Sequence, residues 1–249
     1  MTMRFWSAIA ATELRLLFRN TTVAVSALLM PLVIAVMFLV SGLQDTPSAG
    51  WGFPAALMLL TVFGMSGCIT AAGTLTYRRD ELYLKRLRCS QASDPTILAG
   101  VVTPVAAVTL VQGVLMLVII AVGASSVPAN PLLLLAVIVL GTVMSVGLGV
   151  ATTGFASSGE QAQTVATPVF FVLIGTAIWA GMNLADGLDL VHQLTPGGAV
   201  VQLAWLSYNS GTSFSEALTE ALPALGGMVA WAIVGVAAAR RYFRWEPRA

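Results

Sequence analysis

Long runs without a single charged side chain organise this chain. They cover 20–44, 46–77, 95–159, 161–185, 190–215 and 221–239, and a helix needs only about 20 apolar residues to cross a hydrocarbon core about 30 Å thick. The third run is long enough for two such helices. Its middle, Ser125-Ser126-Val127-Pro128-Ala129-Asn130-Pro131, is a turn sequence that divides it. The fifth run is interrupted by Thr195-Pro196-Gly197-Gly198, and its continuous apolar part, Ala199 to Leu206, contains Gln202. That segment reads as interfacial or re-entrant and not as a span. The predicted fold is therefore all-α and polytopic. A single transmembrane domain, 1–249, has six transmembrane helices at about 22–42, 53–77, 95–123, 131–156, 163–182 and 221–242, with an extracellular re-entrant or interfacial segment at 195–208.

Two polar segments lie outside these spans. On a helix turning about 100° per residue, Phe5, Trp6, Ile9, Leu14, Leu16, Leu17 and Phe18 fill one arc of 4–19, and Arg4, Arg15 and Arg19 cluster opposite. This is an amphipathic helix suited to the bilayer interface. Glu13 falls inside its apolar arc, where an unpaired carboxylate is costly, so it needs either a partner or headgroup water. The second segment, 78–88, is also helical in pattern. Glu81 and Lys85 stand at i,i+4 in the favourable order, and Tyr83, Leu84 and Leu87 share a face away from the charges. Asp94 is a candidate N-cap for the next helix, with Pro95 at its first position. The basic loop fits two roles: binding anionic lipid headgroups, or docking a protein partner through its leucine and tyrosine face.

Charge placement fixes the expected sidedness. The twelve Lys and Arg are Arg4, Arg15 and Arg19; Arg78, Arg79, Lys85, Arg86 and Arg88; Arg240, Arg241, Arg244 and Arg248. The alternate connections, 43–52, 124–130 and 183–220, hold none, but they carry Asp45, Asp186, Asp189, Glu216 and Glu220. The positive-inside rule places the basic segments and both termini in the cytoplasm. Composition agrees with a lipid environment: 57% of residues are hydrophobic, 9% are charged and mean hydropathy is +0.88. A late first apolar run without a small-residue cleavage site argues against a cleaved signal peptide. Cys68 and Cys89 lie at different depths, so no disulfide is expected.

The chemistry that is missing narrows the function. There is one Lys, Lys85, and no G-x-x-x-x-G-K-[ST] phosphate loop, so nucleotide hydrolysis needs another subunit. The one His, His192, has no metal-ligand companions and reads as an exposed loop residue. Asp186 and Asp189 with Asn183 could hold a cation, but two carboxylates in a Gly-containing loop are far more often solvated. No proposed span carries a charge in its central portion, which argues against ion coupling. Gln112 is the largest polar group in mid-span and serves either a substrate or an interhelical hydrogen bond. With Thr109, Phe170 and Trp179 it forms the candidate substrate path. A stand-alone secondary carrier, a membrane anchor subunit of another complex and an intramembrane lipid-modifying enzyme are the alternative classes.

Three regions resemble the membrane-spanning subunit of type 2 ABC exporters, the group of antibiotic and daunorubicin-type efflux permeases. They are "ATELRLLFRN" before the first span, "YRRDELYLKRLRCSQASDPTILAG" between the second and third, and "SSGEQAQTVATPVFFVLIGTAIWAG" followed by "HQLTPGGAVVQLAWL". The chain departs from that pattern at Leu82, where the family has Gly after Glu81, and at Cys89-Ser90-Gln91-Ala92-Ser93, where it has Thr-Pro or Ser-Pro. The resemblance implies a bacterial plasma-membrane permease, with ATP and Mg on two copies of a separate ATP-binding ABC subunit. It also implies a second permease subunit, as a homodimer or paralogous heterodimer meeting through 22–42 and 163–182, and no nucleic-acid partner. Under it, 78–88 is a cytoplasmic coupling helix. Arg79, Asp80, Glu81, Tyr83, Leu84, Lys85, Arg86 and Leu87, together with Glu13, would couple the ATPase to the spans. The cargo would be a hydrophobic or amphiphilic drug, antibiotic or natural product.

Overall fold

The computed structural model describes the backbone of residues 2–19, 21–42, 50–209, 211 and 213–246, and the side chains of these from Phe5 on, except 17–28 and 30. Arg4, Leu17, Phe18 and Arg19 of the amphipathic pattern, with Asp45 and Arg248, lie outside the described side chains. The chain is 84% helical, without strands among the described residues. Helix α1 (Thr2–Arg19) is followed by α2 (Thr21–Val40), an apolar helix with Pro31 inside it. Five further helices are long and apolar enough to cross a membrane: Gly52–Asp80, Asp94–Gly123, Pro131–Phe155, Gly159–Met182 and Phe214–Tyr242.

Gly52–Asp80 is the central helix. Its apolar stretch is 83% buried, against 22% for Gly159–Met182. It consists of α3 (Gly52–Val62), a π-helical stretch (Phe63–Ile69) and α4 (Thr70–Asp80). The wider π turn coincides with Gly64 and Gly67, and both are needed there. A Cβ on Gly64 would lie 2.3 Å from the Phe170 ring, and one on Gly67 would lie 2.2 Å from Ser145 Oγ. The central helix is thus packed against two other spans through its own irregular segment.

The polar break at 78–88 falls differently from the sequence reading. Helix α4 continues through Arg78 and Arg79 to Asp80, Leu82 turns left-handed at φ +56°, and only Tyr83–Arg88 forms the short helix α5. The turn separates Glu81 from Lys85, so the i,i+4 pair is replaced by an i,i+3 pair between Arg78 and Glu81 at 3.0 Å. Helix α6 (Asp94–Gly123) has Ser93 as its extended N-cap residue, with Asp94 already inside the first turn. Asp94 instead receives Arg88, Nε to Oδ1 3.0 Å.

Helix α7 (Pro131–Thr152) runs on through a 3-10 turn, Thr153–Phe155, and α8 (Gly159–Met182) follows. Two short elements, α9 (Leu190–Leu194) and α10 (Pro196–Tyr208), precede α11 (Phe214–Tyr242). Helix α11 starts well before residue 221 because Ser213 and Glu216 form a capping box. Eleven of the thirteen residues of α10 are buried, a pattern that suits a helix enclosed on all sides. At 1.5 Å per residue it is only about 20 Å long, too short to span a core of about 30 Å. Gly197 lets α10 press onto α8, where a Cβ would sit 2.2 Å from Leu173 O and 2.5 Å from Ala177 N.

Candidate functional site

The end of the bundle that carries the basic residues is tied together by side chains far apart in sequence. Helix α1 lies along α6: Ile9 fits over Gly100, and Trp6 Nε1 donates to Thr103 Oγ1 at 3.0 Å. On the same face of α1, one turn after Ile9, Glu13 is 4% exposed. Its Oε2 accepts from Arg78 Nε at 3.0 Å and from Nη2 at 2.9 Å, and Nη1 of the same guanidinium donates to Glu81 at 3.0 Å. The partner that Glu13 needed is therefore Arg78, 65 residues away. Burial raises the Glu13 carboxyl above its ordinary range, while Arg78 pulls the other way. A carboxyl raised on folding favours its protonated form in the fold. The ionised group therefore opposes folding at neutral pH, and this cost fades as pH falls through the raised value.

The apolar face of α5 does not look outward. Leu84 is fully buried in a cluster with Ile9, Leu75, Ile97 and Val101, and Tyr83 and Leu87 are half-buried against that cluster. Arg78 also lies over the Tyr83 ring at 5.5 Å. The leucine and tyrosine face predicted for a partner is consumed inside the chain, because α1 and α6 supply apolar surface close by. Arg79 likewise turns inward. It is 1% exposed and donates to Thr153 O at 3.1 Å and Ala156 O at 2.8 Å, closing the C-terminal end of α7. What α5 exposes is Lys85, Arg86 and Arg88, with Asp80, Glu81 and Leu82 exposed on the turn before it. A charged platform thus stands on an apolar base.

The four residues of the candidate substrate path do not form one group. Thr109 and Gln112 are buried on α6, with the Thr109 hydroxyl donating to Val105 O at 2.8 Å. Thr109 also lies beside Gly67, and Phe170 lies on Gly64, so both meet the π-helical stretch of the central helix. Trp179 is elsewhere, about 13 Å further along α8 than Phe170 at 1.5 Å per residue. It stacks on His192, ring centroids 4.0 Å apart. His192 is not an exposed loop residue: it is 8% exposed. Its backbone N–H and Nδ1 both meet Asp189 Oδ1, the N-cap of α9, and these bonds hold the Asp189 carboxyl below the usual range. No signal in the sequence points to this, since burial at 192 depends on Trp179 folding back over it. Asn183 is used locally, its Nδ2 donating to Trp179 O at 2.8 Å.

Long apolar helices, a buried short helix at one end and a charged, internally braced platform at the other define a multi-pass membrane protein. Residues 4–215 match the family of ABC-2 type transporters. The chain belongs to that family and is a permease subunit of an ABC transporter. The permease is the transmembrane component, not itself catalytic, and its family implies partnership with ATP-binding ABC subunits that hydrolyse the nucleotide. No curated protein matches the chain.

Proposed function

We propose that this permease is the membrane-spanning half of an exporter that moves a hydrophobic or amphiphilic compound, such as a drug, antibiotic or natural product, out of the cytoplasm or the inner leaflet by alternating access. Two ATP-binding subunits, which carry ATP and Mg, dock at the basic end. A second permease, identical or paralogous, completes the pathway in the bacterial plasma membrane, with both termini in the cytoplasm. The observation that carries this reading is the construction of α5. Lys85 and Arg86 are exposed, while Leu84 beneath them is wholly buried against α1, α4 and α6.

A push on such a platform travels by direct contact. It reaches α1 through the Arg78–Glu13 ion pair and α7 through the bonds from Arg79 to the carbonyls of Thr153 and Ala156. Along α4 it arrives at the π-helical stretch, where Thr109 of α6, Ser145 of α7 and Phe170 of α8 converge on Gly64 and Gly67. Irregular helical segments of this kind suit a hinge, because one extra backbone residue per turn can be taken up or released. The uncharged central portions of the spans favour an apolar cargo over an ion, since ion-coupled paths usually need intramembrane charge.

The test is ATP hydrolysis by the permease purified together with its ATP-binding subunit. Reversing Lys85 and Arg86 to Glu is expected to lower cargo-stimulated ATPase activity at least tenfold while the permease alone keeps its melting temperature. Full stimulation in that variant would overturn the coupling role. Labelling of a cysteine placed at position 85 by an impermeant reagent added outside the cell would overturn the orientation.

A further inference from the structure

At the end of the bundle opposite the basic platform, three connections and the end of α10 line an open cavity of about 610 Å³. That lies within the roughly 300–1,000 Å³ typical of small-molecule sites. Its wall is made by the residues that enter α3, the turn after α6, the turn after α8 and the C-terminal end of α10. Three of these connections are bent by left-handed residues at or beside the wall: Gly50 at φ +46°, Ser125 at φ +50° and Gly187 at φ +86°. Gly52 brings the start of α3 directly onto α10, where a Cβ would be 2.6 Å from Trp205 Cα. The cavity is therefore framed by backbone.

Its chemistry is one-sided. Trp51, Trp205 and Tyr208 bring three aromatic side chains to the wall, and among the described lining residues Asp186 alone is charged. No Lys or Arg occurs in 43–52, 124–130 or 183–220, while Asp189, Glu216 and Glu220 share this end of the chain. The field therefore favours a cation and repels an anion. Aromatic rings, tryptophan above all, attract an organic cation through their faces.

We propose that this cavity binds the positively charged head of an amphiphile, an alkylammonium group. Asp186 and the tryptophans recognise the charge, and Leu184 and Ala185 at the wall accept the first carbons of the apolar part. The site goes beyond the exporter reading and does not depend on it. Asp186 is exposed and the cavity is open, so the head can enter without unfolding any element.

The experiment measures binding of two probes to the purified full chain in a neutral maltoside detergent, without any ATP-binding subunit. One probe is hexanoylcholine; the other is its uncharged carbon isostere, 3,3-dimethylbutyl hexanoate. Saturable binding with at least a tenfold preference for the cation is expected. Asp186→Asn should abolish the preference. Equal affinity for the two probes, absence of saturable binding, or a preference that survives Asp186→Asn would each overturn the proposal. Because the ATPase takes no part, such a result leaves the exporter reading standing. Loss of coupling in the Lys85 and Arg86 variant bears on that reading alone.

Discussion

At the basic end of the bundle, helices that are remote in sequence are joined by charged side chains: Glu13 to Arg78, Arg79 to two carbonyls of the α7 end, Arg88 to Asp94 and over the Trp245 ring at 4.7 Å. At the opposite end, apart from the Asp189 carboxylate that caps α9, α9 and α10 are held by close backbone approach and neutral hydrogen bonds. Thr176 Oγ1 accepts from Gly197 N at 3.0 Å, Trp231 Nε1 donates to Leu194 O at 2.8 Å, and Gly52, Gly197 and Gly227 replace side chains with contact. The first end can be loosened by changing charge and the second chiefly by changing volume. Under the proposed function, a surface that receives an outside push benefits from ties that yield to electrostatics, whereas a buried helix is fixed by shape.

That contrast can be broken most severely at Gly197. Its Cβ would meet backbone atoms of α8, which cannot rotate away, so Gly197→Ala should destabilise the permease by about 3 kcal/mol, the upper end for overpacking a core. Thermal unfolding in detergent checks this, and the loss should be the same at low and high salt. Glu13→Ala comes next. Removing one partner of a fully buried pair costs about 3–5 kcal/mol; here Arg78 keeps Glu81 and some water, and the desolvation of Glu13 is recovered, so about 1–2 kcal/mol is expected. The clearer readout is a cysteine crosslink between α1 and α6, which should fail in Glu13→Arg and return when Arg78→Glu is added. The smallest effect sharpens the comparison from the stabilising side. Leu82 adopts φ +56°, a conformation that costs a residue with a Cβ roughly 1–2 kcal/mol, so Leu82→Gly should raise stability by up to about 1 kcal/mol after its entropic cost. A lower melting temperature in that variant would show the left-handed turn to be unstrained.

Legibility differed by region for a physical reason. The divided third run was visible because Ser125–Asn130 is a turn sequence with Pro128 in it and Pro131 suits the first position of a helix, and the structure has Ala124–Asn130 between α6 and α7. The family resemblance was legible in the segments around Glu13 and 78–88, and the match to 4–215 bears it out. The inward turn of Arg79 and Leu84 was not legible. Their sequence neighbours are charged, and only α1 and the end of α7, remote in the chain, bury them. His192 misled for the same reason: a polar residue between Asp189 and Thr195 looks solvated until Trp179 is folded over it.

Sequence alone determined that this chain is an all-helical membrane protein and that its cationic side chains are grouped in alternate connections. Both follow from transfer free energies, which each segment carries whatever its neighbours are. Only tertiary structure decided which face of α1 and of α5 is buried, that Arg78 is the counter-charge of Glu13, that the central helix is π-helical where it meets three other spans, and that α10 is enclosed. Those outcomes depend on distances between groups tens of residues apart, and hydrogen bonds and steric contact act over a few ångströms of space, not of chain.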